Sequence, residues 1–408
     1  MDAPATLFVT GPGGDGATTV AAATALAAAR AGRPALLLSP APPARLAALL
    51  GSVPPPLDDS PPEIEPGLTA ARVDPAAAFR AGVLAAQRRA GPLLDVLGAT
   101  PLDDDELTDL PGAAEAALLT ALHAAHAPGG DRLVVLDLPE VTDAVRLLAL
   151  PGRLRRYLRR LLPQERRTAR ALHPLLAQLA GVPLPVAGLF GAADGWDAGL
   201  AAVERLVQGP GAAVRLVLDP TERSADLAVA ARAGLALHGI AVESVVANRL
   251  APAGPSGTWL AAFAERQEAV LGGFLRATGL PDAHRVPHLG AGPGRADLPD
   301  LAVPPPGPPR RNDPVLDDRL ATEGLLVWRL PLPGATRDTL GLVRRGDELI
   351  VTTGPFRRAL PLPAALRRCT VTGAALGDDG ELAVRFAPDP EHWPAGEDGS
   401  GGGTGAPG

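Results

Sequence analysis

Hydrophobic positions along the chain fall into two regimes. Up to about residue 300, short, mostly apolar runs alternate with longer stretches of helical spacing. Residues 5–10, 35–39, 133–137, 214–218 and 242–248 are runs of strand length, rich in Val and Leu. Their lack of polar alternation predicts strands covered on both faces. Residues 17–30 are Ala-rich and predict a helix with Arg30 in its last turn and Gly32 just beyond. Further helical insertions are predicted at about 76–98, 112–126 and 143–180. The alternation specifies an α/β fold, a mostly parallel sheet with helices on both faces.

Within the third insertion, eight arginines between Arg153 and Arg170 surround Leu154, Tyr157, Leu158, Leu161 and Leu162. Apolar residues three and four apart give one greasy and one cationic face. Two readings stay open: a face for an acidic lipid surface or partner helix, or a solvated arginine face above an ordinary core stripe.

The second regime follows a Pro-rich connector at 303–319, which includes Pro304-Pro305-Pro306-Gly307-Pro308-Pro309. Beyond it only short strand-like runs occur, at 325–331, 339–344, 348–353, 356–360 and 382–386. They predict a C-terminal antiparallel β-sandwich over 320–387. Residues 388–408 are Gly-rich and are expected to be disordered. The expected organisation is therefore a domain over 1–302, the connector, the sandwich and a tail.

Composition narrows the function. Nearly a quarter of the chain is Gly (47) or Pro (46), while aromatics are 3%, so the core must be Ala, Val and Leu. The net charge of −7 argues against general nucleic-acid binding. A single cysteine, Cys369, excludes an internal disulfide and a multi-cysteine zinc site within one chain; it is expected on a buried strand. No apolar run reaches the roughly 20 residues of a membrane span, and the first residues lack the pattern of a signal peptide. The chain is expected to be cytoplasmic and not integral to a membrane. Trp196, Trp259 and Trp328 are expected as core or interface anchors. All 38 basic residues are Arg, so no chemistry that requires lysine is available from this chain.

The most informative segment is Gly11-Pro12-Gly13-Gly14-Asp15-Gly16-Ala17-Thr18-Thr19, between a predicted strand and a predicted helix. That is the place of a P-loop, where backbone N–H groups and a helix N-terminus make an anion hole. In the pattern G-x-x-x-x-G-K-[ST] the glycines and Thr18 are present, but Ala17 holds the lysine position. The loop keeps its shape while losing a cation, and Asp15 is expected to add a repelling charge.

These residues, taken in order, resemble the arsenite-pump (ArsA) ATPase family, which also includes the tail-anchored-protein targeting ATPases. The family's G-K-G-G-V-G-K-T-T aligns with residues 11–19, its lysines becoming Pro12 and Ala17. Its S-T-D-P-A-H-S-L aligns with Ser39-Pro40-Ala41-Pro42-Pro43-Ala44-Arg45-Leu46, so the water-orienting aspartate falls on Ala41. Its D-x-A-P-T-G-x-T-L-R-L-L aligns with residues 137–148, retaining Asp137 and Arg146-Leu147-Leu148. Val245-Val246-Ala247-Asn248-Arg249 matches V-V-x-N-R. Residues 322–387 resemble the small heat-shock-like domain that some bacterial members carry.

The resemblance implies a P-loop NTPase-like fold. It implies ATP held by Gly11, Gly13, Gly14, Gly16, Thr18, Thr19, Asp137 and Asn248, with Asn248 at the adenine and Mg²⁺ at Thr18 and Asp137. It also implies a homodimer, or a heterodimer with an ArsA-like paralogue. Phosphoryl transfer relies on positioning and charge neutralisation. With both lysines and the aspartate missing, the expectation is a pseudo-ATPase with weak or no ATP and Mg²⁺ binding and no zinc, serving as a scaffold for a partner or hydrophobic protein client. An active ATPase with an altered site, or a regulatory subunit of an intact paralogue, are the alternatives.

Overall fold

The computed structural model describes residues 4–57, 61–98, 100–108, 110–126, 132–161, 186–309, 311 and 313–391. Eight strands form the large sheet. They are β1 (Thr6–Thr10), β2 (Ala35–Ser39), β3 (Glu63–Glu65), β4 (Leu68–Arg72), β5 (Leu133–Asp137), β6 (Ala212–Leu218), β7 (Val242–Leu250) and β8 (His284–Pro287). Their order is β3-β4-β2-β5-β1-β6-β7-β8, and only β3 runs antiparallel to its neighbour. The mostly parallel sheet is thus present.

Alternate side chains of each central strand feed two separate cores, because successive residues point to opposite faces. Leu7 and Val9 join Val20, Leu26, Leu37 and Val135 on one side. Phe8 joins Leu36, Val134, Val145 and Leu235 on the other. The first face is covered by α1 (Ala17–Arg30) and α2 (Pro43–Leu50). Other helices are α3 (Pro75–Leu97), α4 (Ala113–Ala125), α5 (Val141–Leu161), α6 (Val186–Gln208), α7 (Glu222–Leu237) and α8 (Trp259–Thr278). The expected helix over 143–180 is described only as far as Leu161; residues 162–185, including Arg166, Arg167 and Arg170, lie outside the described residues.

The C-terminal part consists of two antiparallel sheets. One has β9 (Val315–Arg319), β10 (Leu325–Pro331), β14 (Cys369–Leu376) and β15 (Glu381–Pro388) in the order β14-β15-β10-β9. The other has β11 (Leu340–Arg345), β12 (Glu348–Thr353) and β13 (Phe356–Pro361) in sequence order. Strand β9 corrects the connector expectation: residues 315–319 pair with β10, because the ladder supplies hydrogen bonds that the polar sequence Val-Leu-Asp-Asp-Arg does not advertise. The N-terminal part of the connector is also held. Arg215 on β6, fully buried, donates to Pro304 O (2.9 Å) and Thr24 Oγ1 (2.9 Å), and pairs with Glu243, which accepts from Gly307 N (2.7 Å). The tail expected over 388–408 starts later than expected: Pro388 ends β15 and Asp389 N donates to Arg368 O (3.0 Å), while residues 392–408 lie outside the described residues.

The sandwich packs on the sheet domain as part of one continuous core. Trp328, Phe356 and Phe386 are buried in the same cluster as Phe8 and Val214. At Gly234 on α7 a Cβ would come within 2.5 Å of the Phe356 ring, so the close approach requires glycine there. Part of the arginine face of α5 is engaged in packing, while Arg159 and Arg160 stay exposed. Arg155 pairs with Asp197 (3.2 Å) and with Glu204 on α6, and Arg156 grips Glu348 of β12 through both carboxylate oxygens (2.8 and 2.6 Å). Cys369 is buried on β14, as expected, and Trp328 is buried; Trp259 is instead 76% exposed and stacks on Phe263. Nothing is described of the Trp196 side chain.

Candidate functional site

The site grows from the turn between β1 and α1. Gly13, Gly14 and Gly16 take φ values of 100°, 80° and 90°, a left-handed region that side chains rarely adopt. A Cβ at Gly11 would stand 2.4 Å from Val217 O, and one at Gly16 would stand 2.4 Å from Asn248 Nδ2. The glycines therefore allow both the curl and the close approach of β6 and β7. The turn delivers the N-terminus of α1 to an open cavity of about 910 Å³. Gly11, Gly13, Gly14, Gly16, Ala17, Thr18, Thr19 and Asn248 all line it. Pro12 is buried within the loop and Ala41 follows β2.

Asp15 departs from expectation. Its side chain is buried and accepts a hydrogen bond from Ser224 Oγ (2.6 Å), two residues into α7. Burial pushes its carboxyl above the usual range, and the Ser224 bond works against that shift. The charge the sequence placed in the loop is thus bonded to the neighbouring helix. Asn248 braces the same turn, its Nδ2 donating to Asp15 O (2.7 Å).

Asp137 ends β5 and is buried. It accepts from Ser39 Oγ (2.6 Å), and Ser39 Oγ in turn accepts from Ala41 N (3.1 Å). Burial pushes the Asp137 carboxyl up to about 6, with hydrogen bonds from Ser39 and Thr18 pulling the other way.

The sequence reading missed a cation. Arg45 of α2 reaches back to the start of α1, donating to Thr19 Oγ1 (2.5 Å) and to Pro293 O (3.3 Å). It lines the cavity together with Arg249, which holds φ 56° and faces Asp219 at 3.5 Å. Gln267 supports that strained residue, donating to Arg249 O (3.2 Å) and accepting from Ala251 N (2.8 Å). Glu140 accepts from Thr142 Oγ1 (2.9 Å). Phe263 closes one rim and carries the exposed Trp259 stacked on it at 5.3 Å. Arg45 lies within the Ser39–Leu46 segment, but its reach depends on how α2 folds over α1, which local patterning does not reveal.

Among the described residues no group of three or more His, Cys, Asp or Glu side chains is placed to hold a metal ion. Asp103–Glu106, an acidic run, forms a short turn with Asp104 3.6 Å from Arg80. Among the described residues no helix is long and apolar enough to cross a membrane.

Comparison with known proteins gives this arrangement a family. A protein of Streptomyces coelicolor described as uncharacterised is 51% identical over 396 residues, covering 96% of this chain and 99% of its own. A Mycobacterium tuberculosis protein is 33% identical over 438 aligned residues, covering 95% and 97%. An Aquifex aeolicus protein that carries the name of an arsenical pump-driving ATPase is 25% identical over 276 residues, covering 64% and 69%. Residues 323–386 match the HSP20-like domain found in ArsA proteins. Residues 5–273 match the anion-transporting ATPase family, and the chain belongs to that ArsA family.

Proposed function

We propose that this ArsA-family chain is a pseudo-ATPase: a scaffold that holds nucleotide phosphates weakly, if a nucleotide is present, and does not split them. The observation that carries the reading is the state of the charges around the glycine loop. Asp15, Arg45, Glu140 and Asp219 are each already bonded within the fold, to Ser224, Thr19, Thr142 and Arg249. The positions of the family's lysines and water-orienting aspartate hold Pro12, Ala17 and Ala41. Losing one donor to a developing oxyanion typically costs about 10²–10³ in rate; both lysine donors and the carboxylate that orients the attacking water are missing.

The donor set suits Mg²⁺ only loosely. The Thr18 hydroxyl and the Asp137 carboxylate are of the right kind, and Mg²⁺ commonly keeps water and phosphate as its remaining ligands. That carboxylate is already engaged by Ser39. Bound Mg²⁺ would neutralise phosphate charge; the chain's own contribution is the backbone N–H groups of residues 13–19 and the α1 dipole.

A partner role draws on the exposed apolar groups. Trp259 (76% exposed) and Leu161 (77%) stand out from the surface, the first beside the cavity and the second at the described end of α5. The reading includes pairing with a second copy or an ArsA-like paralogue and holding a hydrophobic client, in the cytoplasm.

One observation favours the second reading, a working ATPase with an altered site. Arg45 brings a cation to the N-terminus of α1, where a positive charge opposes the helix dipole unless an anion lies between them. The test is a titration of the full chain with a fluorescent ATP analogue, followed by recovery of unlabelled ATP after incubation with Mg²⁺. The expected result is weak binding, weakened at least about tenfold more in Arg45→Ala, with ATP recovered intact. Recovery as ADP by the wild type but not by Asp137→Ala would establish the second reading.

A further inference from the structure

A second cavity, of about 200 Å³, lies where the sandwich meets α7. Three arginines from three segments line it: Arg232 of α7, Arg311 of the connector and Arg358 of β13. Leu332 and Leu360 contribute to its apolar wall.

The three guanidiniums differ in what they bind. Arg358 donates to Leu237 O (2.8 Å), leaving further N–H groups of its fork. Arg311 donates to Gln208 O (2.9 Å) and to Gly209 O, and its Nε is buried without a partner. Arg232 is 6% exposed and makes no hydrogen bond or ion pair with any described residue; its Nε is buried and unpartnered. Asp313, the acidic residue on the lining, is exposed and pairs with none of the three. A guanidinium buried without hydrogen bonds or a counter-charge is among the costliest arrangements in a protein interior. Burial lowers the Arg232 pKa to about 10, which still leaves it charged at neutral pH.

The molecule contains a direct contrast. Arg215 is buried as deeply, and its fork is filled by Glu243, Ser244, Thr24 and Pro304. The fold thus satisfies a buried arginine where the connector crosses the sheet, and leaves one open where a cavity with two more arginines adjoins it.

We infer that the cavity between α7 and the sandwich is a binding site for a small oxyanion, a carboxylate or phosphate carried on a short apolar body, held by Arg232, Arg311 and Arg358. Planar forks match both oxyanions, and the leucines accommodate the body. Because Arg232 and Arg358 belong to different domains, the bound anion bridges them. This site is separate from the glycine-loop cavity, and its existence does not depend on whether ATP is split.

The test is isothermal titration of the full chain, in low-salt buffer free of phosphate and carboxylates, with inorganic phosphate in one arm and butyrate in the other. The expected result is saturable binding of at least one anion and a rise in melting temperature with its concentration. Arg232→Met should reduce the affinity at least about tenfold and remove the thermal shift, while Arg45→Ala in the other cavity leaves both in place. Saturation by phosphate alone identifies a phosphate head, and saturation by butyrate alone a carboxylate. If Arg232→Met does not fold, Arg358→Lys, which keeps the charge and loses the fork, should weaken binding about tenfold. The inference is overturned if neither anion binds, if binding survives the change at Arg232 or Arg358, or if it is lost in Arg45→Ala.

Discussion

Around the glycine loop every charged side chain on the cavity wall has found a partner inside the fold. At the seam between α7 and the sandwich the buried Arg232 guanidinium has none among the described residues. The first region keeps the form of a nucleotide cradle; Asp219 there faces Arg249, while Asp15, Arg45 and Glu140 are held by the neutral groups of Ser224, Thr19 and Thr142. The second concentrates arginines: Arg153 and Arg156 on α5, Arg232 on α7 and Arg358 on β13. Of these, Arg153, Arg156 and Arg358 bond across the seam, to Arg357 O, Glu348 and Leu237 O.

Removing each buried arginine in turn should give the largest effects. Arg215→Met leaves Glu243, its side chain 5% exposed, without its counter-cation and should cost about 3–5 kcal/mol in urea unfolding. Arg232→Met removes a charge that has no partner and, in anion-free buffer, should leave stability unchanged or raised. Equal losses at the two positions would erase the distinction.

A smaller effect comes from pH. His238 is buried at the seam, with Arg153 Nη2 at 3.5 Å from its Nε2 and Arg358 also near. Burial, then these two cations, push its pKa from 6.5 down to about 3. The folded state holds the ring neutral while the unfolded chain takes up a proton below pH 6.5. Stability is therefore complete above that pH and is lost as pH falls through the window towards 3. Between about pH 6.5 and pH 5 the loss should be about 2 kcal/mol, and His238→Gln should flatten it in urea titrations at each pH. An unchanged slope would show that the imidazole is hydrated or paired.

The smallest effect is at the rim of the same seam. The Arg156–Glu348 pair is about 30% and 26% exposed, so Arg156→Ala should cost only about 0.5 kcal/mol in a double-mutant cycle. A coupling of several kcal/mol would mean that this pair, and not the packing of Phe356 on Gly234, holds the sandwich in place.

Much of the fold was legible because the central strands β1, β2, β5, β6 and β7 are mostly apolar runs that a doubly covered sheet buries, although β6 carries Arg215 and β7 carries Glu243, Ser244 and Asn248. The edges were not. In β9, with Asp317-Asp318-Arg319, pairing with β10 outweighs a polar sequence, and the two-residue turn before β4 ties β3 to it through a mixed strand of only three residues. The glycines of the loop were readable because a left-handed turn demands them. The turning of Asp15 to Ser224, the reach of Arg45 and the depth of Arg215 and Arg232 were not. Each depends on which distant element packs over the residue, and arginine in a sequence reads as surface until something covers it.

The central claim, that the glycine-loop cavity does not hydrolyse ATP, is tested most directly by steady-state phosphate release from Mg·ATP by the full chain, measured beside Asp137→Ala prepared in parallel. Both proteins are expected to release phosphate at the same background rate. Turnover that is present in the wild type and abolished by Asp137→Ala would contradict it.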